Sequence, residues 1–272
     1  MSALTLFYLG NYEQAAAEAE RSGDYVILQR SRLALNQSPL VVKDLSGKTD
    51  DTSLALVTYA TFLSDHDSQS ALQKLSQSNS TLSSIIRASV HLATGDLSEA
   101  YTALSGNFDV ECRFMLIQTL LSMNRPDIAV NILDLMRKDQ PDHILVFLAR
   151  ALLAASDSRG SELKDLMMDI VDTLGLSSSA GAPDSPIISQ LLALSFILTG
   201  DSQKAVTLLA NAQKKWPSRS DLMWNTGTAC FHNGDVHRCR VERERVEALD
   251  QGASKRMQQY QTLVESSLTG PE

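Results

Sequence analysis

Four residues near the carboxyl end of the chain could together coordinate a metal ion. Cys230 and His232 are separated by a single residue, and so are His237 and Cys239. Zinc ligands that are close in sequence usually have two to four residues between them, so the spacing within each pair is too short. A free cysteine also packs well in a protein core as a small apolar side chain. The sequence therefore predicts two packing cysteines and no bound metal.

Catalytic motifs are missing from the sequence. It has no nucleophile elbow, HExxH sequence, P-loop or GxGxxG loop, which would hold a nucleophile, a metal ion or a phosphate group. The basic run Arg238–Arg245 alternates with Glu242 and Glu244, which indicates a solvated helix face with its own ion pairs. We therefore predict no catalytic residue, no cofactor and no nucleic-acid partner.

Charge and cysteine content favour a cytoplasmic protein. With 24 Lys and Arg against 32 Asp and Glu, the formal net charge is −8, which disfavours nonspecific binding to nucleic acid or anionic lipid. Three cysteines are too few for a disulfide scaffold and odd in number, which favours a reducing compartment. We find no secretory signal in Met1–Gly10 and no apolar stretch of the roughly 20 residues that a membrane span needs.

Helices are predicted almost throughout the chain. Gly and Pro are scarce, at 13 and 7 residues, and good helix formers fill most positions. Apolar residues recur three and four apart in Phe114–Leu121, and again at Ile128, Ile132 and Leu135. Pro126 separates these two stripes and stands in the first turn of the second, where proline is tolerated. The expected fold class is all-α.

A short turn motif recurs along the chain. Each copy has a glycine that ends one helix, an Asn or Asp that caps the next, and a small residue five positions after the glycine. The glycines with their small residues are Gly10 with Ala15, Gly95 with Ala100, Gly200 with Ala205, and Gly234 with Cys239. Weaker copies place Ala71 and Ala129 at spacings of 29 residues from Ala100. Periods of this size indicate stacked helical hairpins.

The repeat resembles the tetratricopeptide repeat. Around Ala205, Phe196 is the large residue of the first helix, and Pro217 closes the repeat. Another hairpin is expected with helices at 144–156 and 161–174. The resemblance implies a right-handed α-solenoid of about seven or eight helical hairpins.

Three further segments complete the predicted organisation of a single domain over 1–272. Residues 177–186 are rich in Ser, Gly and Pro, which predicts a mobile loop between two hairpins. Near the end of the chain, three apolar residues at helical spacing predict a C-terminal capping helix: Met257, Tyr260 and Leu263. Residues 269–272 are expected to fray.

The chain resembles the epsilon-subunit family of coatomer, the COPI vesicle coat. One matching segment is the opening Phe7–Tyr12, and another is Val110–Cys112 followed by an Arg125-x-Asp127-x-Ala129 turn. The resemblance covers most of the chain, and the Ser-rich loop is a departure from it.

The coatomer resemblance implies a non-enzymatic structural subunit. In that family the superhelix clasps the C-terminal region of the alpha subunit, and an Arf-type GTPase recruits the coat to Golgi membranes. The expected function is a COPI coat subunit in Golgi-to-ER retrograde and intra-Golgi transport, cytoplasmic and peripheral on Golgi membranes and coated vesicles.

The repeat pattern also predicts a partner-binding groove. In a tetratricopeptide superhelix the first helix of each hairpin lines the inside of the curve, and positions three to four apart point inward together. Ten apolar residues are predicted on this surface, called here the candidate face: Leu56, Leu63, Ile85, Leu92, Phe114, Leu121, Leu194, Ile197, Trp224 and Phe231. An exposed apolar strip usually marks a partner site, although some of the ten are expected to pack between hairpins.

A different class of adaptor is the alternative. It would be a tetratricopeptide adaptor or co-chaperone that binds another peptide partner. A co-chaperone that captures a C-terminal carboxylate needs convergent Lys, Arg and Asn on the first helices. The predicted first helices contain only Arg87, Arg113 and Arg150 as fixed cations, which argues against the co-chaperone.

Overall fold

A computed structural model describes residues 1–76, 78, 80–177 and 181–249. All regular elements in these residues are α-helices, which confirms the predicted all-α fold. None of the described helices combines the length and apolar character needed to cross a membrane. The helices are α1 (Ala3–Tyr8), α2 (Tyr12–Ser22), α3 (Tyr25–Ala34), α4 (Ser38–Asp44), α5 (Asp51–Asp65), α6 (Ser68–Leu75), α7 (Thr81–Thr94), α8 (Leu97–Ser105), α9 (Val110–Ser122), α10 (Pro126–Asp139), α11 (Ile144–Ser156), α12 (Gly160–Leu174), α13 (Pro186–Leu198), α14 (Ser202–Lys215), α15 (Ser220–His232) and α16 (Val236–Leu249).

The recurring turn has the backbone geometry that its sequence predicts. Gly95 ends α7 in the left-handed region at φ +84°, where an L side chain would be strained. The carboxylate of Asp96 then accepts a hydrogen bond from the backbone N–H of Glu99 at 3.2 Å and caps α8. Asn11 is an exception, because its side chain makes no capping hydrogen bond.

Small residues after these turns allow close helix packing. Ala15, Ala100, Ala129 and Ala205 are fully buried, as expected for small residues between packed helices. Cys239, the small residue in the fourth predicted copy of the turn motif, is only half-buried. Consecutive helices within α1–α11 and within α12–α16 pack against each other, and so do alternate helices such as α7 with α9 and α13 with α15. This double pattern is that of stacked helical hairpins, as in an α-solenoid.

The chain divides into two compact units between Asp157 and Ser158. In unit 1, which holds α1–α11, one core cluster forms around Phe62, Leu75 and Val90, and another around Leu33 and Leu56. The predicted helices 144–156 and 161–174 are confirmed as α11 and α12, but they fall on opposite sides of this division. The single domain over 1–272 stays a prediction.

Unit 2 contains α12–α16 of the described residues. Gly160 opens α12 where a Cβ would lie only 2.8 Å from the Cβ of Leu198, so only glycine permits this approach of α12 to α13. The core of unit 2 contains Leu163 and Met167 of α12, and Leu209 of α14.

The Ser-rich loop is packed along its second half. Lys215 of α14 donates hydrogen bonds to the carbonyl of Ala182 at 2.8 Å and to the carboxylate of Asp184 at 2.7 Å. Ala182 and Ser185 are buried, so this half of the 177–186 segment has fixed contacts with α14, whereas the sequence predicts a mobile loop. Residues 178–180 lie outside the described residues, as do the predicted capping helix and the 269–272 tail.

Candidate functional site

The candidate face draws its residues from the odd-numbered helices. In unit 1 they lie on α5, α7 and α9, and in unit 2 on α13 and α15. One assignment is wrong: Leu56 is 1% exposed and packs in the core beside Leu33 and Val41. The packing of α5 against α4 buries this position, a long-range effect that helical spacing within α5 does not reveal.

The other unit 1 residues of the candidate face are half-buried. They are Leu63, Ile85, Leu92, Phe114 and Leu121. Leu63 packs against both core clusters of the unit. These side chains therefore contribute to the packing between hairpins and offer a partner only part of their surface.

Unit 2 presents the aromatic part of the candidate face. Trp224 is 43% exposed and Phe231 is 62% exposed. The two residues are seven positions apart on α15, so they lie two turns apart on the same face of the helix. On α13, Leu194 and Ile197 are half-buried. Large apolar side chains that are exposed on one face of a helix form a surface that a partner protein can bury.

Buried contacts on the opposite side of α15 hold this aromatic pair in place. Leu222, Met223 and Cys230 are buried there. The amide of Gln213 on α14 donates to the hydroxyl of Thr226 at 3.0 Å. These buried contacts fix the orientation of α15, and Trp224 and Phe231 therefore lie on its exposed side.

A polar group at the start of α15 fixes its position against α13. Arg219 pairs with Asp221 at 2.5 Å, and the amide of Gln190 on α13 donates to the same carboxylate at 2.8 Å. Burial alone would raise the pKa of Asp221, but the hydrogen bond and charge of Arg219 outweigh it and lower that pKa. Asn225 donates in turn to Gln190 at 2.9 Å.

Unit 1 contains a polar cluster that the sequence did not predict. Arg30 of α3 forms a two-pronged ion pair with Glu111 of α9, at 2.7 and 3.1 Å, across 81 residues of sequence. The guanidinium also lies over the ring of Phe7, 4.6 Å from its centroid. The ring of Tyr8 meets that of His143 at a centroid distance of 6.0 Å. The cluster thus joins α1 and α3 to α9 and to the start of α11.

Burial and charge both perturb the groups of this cluster. Burial raises the pKa of the Tyr8 hydroxyl, and the charge and hydrogen bond of Glu111 raise it further. Burial acts to lower the pKa of Arg30, but the hydrogen bond and charge of Glu111 prevail and raise it. Burial lowers the pKa of His143, whose Nδ1 accepts the hydrogen bond from the backbone N–H of Leu145 that caps α11.

Two members of the cluster lie in segments that carry the coatomer resemblance. Tyr8 belongs to the opening segment Phe7–Tyr12, and Glu111 to Val110–Cys112. The sequence marks both segments but contains no signal that they touch, because the contact depends on how the intervening helices stack.

The Cys/His group does not form a metal cluster in the described residues. Cys230 is buried and Cys239 half-buried, while His232 and His237 are exposed. No three His, Cys, Asp or Glu side chains of the described chain are placed to hold a metal ion together. Burial raises the pKa of the Cys230 thiol, which disfavours the thiolate that zinc binds. The absence of zinc stays a prediction.

The three cations weighed for a co-chaperone groove lie in different settings. Arg113 pairs with Asp139 at 2.6 Å. Arg87 has a buried Nε that makes no hydrogen bond within the described chain. Arg150 lines a cleft of about 560 Å³ between α10 and α11, together with Arg137 and Lys138.

Comparison with known proteins identifies the family. The family model of the coatomer epsilon subunit matches residues 2–255. Coatomer subunit epsilon from Caenorhabditis elegans is 26% identical, over 81% of this chain and 79% of that protein.

Solved structures support the fold. A tetratricopeptide repeat protein from Parabacteroides merdae ATCC 43184 aligns with a TM-score of 0.58 at 13% identity, over 89% of this chain and 93% of that chain. Human IFIT1, in its dimer with PPP-AAAA, aligns with a TM-score of 0.51 at 11% identity, over 90% and 66% of the two chains. These two likenesses concern the fold alone. The match over residues 2–255, nearly the whole chain, shows that this protein belongs to the coatomer epsilon subunit family.

Proposed function

We propose that this coat subunit acts without catalysis, by binding the C-terminal region of the alpha coat subunit on its candidate face. Family membership makes the chain a component of the COPI coat and assigns it to a structural family. The observation that supports the binding role is the exposed aromatic pair Trp224 and Phe231 on one face of α15.

The aromatic pair has the properties of an anchor for a protein partner. Aromatic side chains bury 150–250 Å² each and are frequent among the residues that dominate binding energy. Because α15 is held by its buried side, binding would not have to order this helix first, which avoids an entropic cost. Leu194 and Ile197 on α13, the helix packed against α15, extend the apolar surface.

The proposed cellular role follows from the complex with the alpha subunit. Through the alpha subunit the chain joins the rest of the coat, which an Arf-type GTPase brings to Golgi membranes from the cytoplasm. The subunit then takes part in Golgi-to-ER retrograde and intra-Golgi transport. The likeness to the coatomer family supports this role, and the chain contributes protein contacts to it.

A binding titration tests the proposed partner. The purified chain is titrated with the C-terminal region of the alpha subunit from the same organism, and with an alpha subunit that lacks this region as the matched control. We expect a stable one-to-one complex with the former and none with the latter.

Two results would contradict the proposal. One is equal binding to both forms of the alpha subunit, which would place the contact elsewhere. The other is binding of neither form while the chain captures the carboxylate end of an unrelated peptide, which would favour the co-chaperone or adaptor alternative.

A further inference from the structure

We propose that the cleft between α10 and α11 in unit 1 is a second binding site, for an internal peptide segment that carries acidic side chains next to apolar ones. The cleft has a volume of about 560 Å³, which is within the usual range of ligand sites. Of the ten residues of the candidate face, none lines this cleft in the described chain. Binding here is therefore a separate property from binding of the alpha subunit on the candidate face.

Helical spacing brings side chains of both helices to the cleft. On α10, Asp134 and Arg137 are three positions apart and lie on one side of the helix. Val130, a further turn towards the start of α10, is 43% exposed and continues this side with an apolar residue. On α11, Phe147 and Arg150 are also three positions apart. A segment bound in the cleft would thus contact both helices.

Three cations converge on the cleft, although the whole chain has a formal net charge of −8. They are Arg137, Lys138 and Arg150. Arg137 pairs with Asp134 at 3.8 Å, and these two side chains are 57% and 64% exposed, so the pair contributes little to stability. Lys138 and Arg150 have no ion-pair partner within the described residues. A carboxylate of a partner can therefore pair with these cations without breaking a strong interaction first, and a guanidinium can bind it through two parallel hydrogen bonds.

The cleft also has an apolar lining. Val146 is 2% exposed, Phe147 is half-buried, and Pro141 is exposed in the connection between the helices. Arginine and aromatic residues are frequent among those that dominate binding at protein interfaces. A ligand that carries charge alone would leave this apolar surface in water, whereas an apolar side chain of a peptide would cover it.

Two carboxylates in the lining favour a peptide over a phosphate group. Asp134 and Asp142 lie in the same cleft, so three cations against two carboxylates give it a formal charge of only +1. A phosphate group concentrates a charge of about −1.5 to −2 and would be repelled by both carboxylates. Separate acidic side chains along a peptide can each approach one cation, and the backbone N–H groups between them can donate to Asp134 or Asp142.

The distribution of the cations favours an internal segment over a chain end. Lys138 lies in the last turn of α10, and Arg150 lies in the second turn of α11. A terminal carboxylate brings one charge to these two helices. Two acidic side chains of an internal segment can instead pair with cations of both helices at once.

A synthetic peptide array tests the class of ligand. End-blocked peptides that vary Glu, Gln, Leu and Ser at each position are probed with the full chain, beside copies that carry a free carboxyl end or a phosphoserine. We expect binding by peptides that combine Glu with Leu, and affinity at least about fivefold weaker when Gln replaces Glu or Ser replaces Leu. Binding no stronger than the array background, a preference for the free carboxyl end, or stronger binding of the phosphoserine peptides would each overturn the proposal.

Charge-neutral variants test whether the cations of the cleft bind the peptide. Arg137→Gln and Arg150→Gln should each weaken the best Glu/Leu peptide by at least about fivefold in fluorescence anisotropy. Arg125→Gln is the matched control, because Arg125 precedes the other end of α10 and pairs there with Asp127, and it should bind like the wild type. Because Arg137 is 57% exposed, its variant should fold even if Arg150→Gln does not. Wild-type affinity in Arg137→Gln, or an equal loss in Arg125→Gln, would contradict the site.

Amide chemical shifts locate the peptide independently of the variants. The best peptide should shift resonances of residues 134–150 and leave those of α15 unchanged. Shifts confined to α15 would place the peptide on the candidate face and overturn a second site. The titration with the alpha subunit is a separate result, so its failure would contradict the proposed function and not the site between α10 and α11.

Discussion

The variant Phe231→Ala tests whether Phe231 on α15 binds a partner or packs in the core. In the unbound chain the side chain of Phe231 is 62% exposed. A phenylalanine side chain offers about 200 Å², so about 125 Å² remains for a partner to cover. At about 25 cal/mol per Å² this area corresponds to at most about 3 kcal/mol. Because binding also carries ordering and desolvation costs, we expect a loss of about 2–3 kcal/mol, or about 30- to 150-fold in Kd.

The assay is an isothermal titration of the variant with the C-terminal region of the alpha subunit. Phe108→Ala is the matched control, since it removes a phenylalanine that is 79% exposed outside the candidate face, and its affinity should equal the wild type. The free energy of unfolding of Phe231→Ala should fall by no more than about 2 kcal/mol, because only about 75 Å² of the side chain is buried in the unbound chain. Wild-type affinity in Phe231→Ala, or an equal loss in both variants, would refute the reasoning.

Three further predictions address the core, the histidine that caps α11 and the cysteines. Leu56→Ala should lower the free energy of unfolding by about 2–5 kcal/mol in chemical denaturation, and a loss under about 1 kcal/mol would place Leu56 outside the core. The folded-state pKa of His143 lies below its unfolded value, so the unfolded chain binds more protons and stability is lost as the pH falls below about 6.5. In melting curves at pH 7.5 and 5, His143→Asn, which can still cap α11, should reduce this loss, and an unchanged pH dependence would contradict the assignment. Elemental analysis should find no stoichiometric zinc, and stoichiometric zinc whose chelation melts the protein would contradict the prediction of no bound metal.

Local interactions made the helices and turns predictable. Whether Gly95 ends a helix and Asp96 caps the next depends on φ and on one hydrogen bond within four residues. Ala100 and Ala205 could be assigned to close helix contacts for the same reason, since hairpin partners are neighbours in sequence. The coatomer resemblance was also present in short segments, and the family match over residues 2–255 confirms it.

The exposure of the candidate face depended on tertiary packing. Helical spacing placed Leu56 and Phe231 on equivalent faces, yet the first is buried and the second is largely in water. Spacing defines the side of a helix on which a residue lies, whereas the neighbouring helices determine whether that side is covered. For α5 the neighbour is α4, a short helix whose position no local pattern in α5 specifies.

The sequence by itself determined that the chain is helical, where the recurring turns between helices lie, which alanines after those turns are buried, and the family to which the chain belongs. The tertiary structure alone decided that Arg30 meets Glu111, that the half of the Ser-rich loop containing Asp184 packs against Lys215, and that Trp224 stays exposed. The first group depends on torsions and hydrogen bonds between near neighbours. The second depends on small rotations between successive hairpins, which accumulate over 81 residues before Arg30 and Glu111 come together.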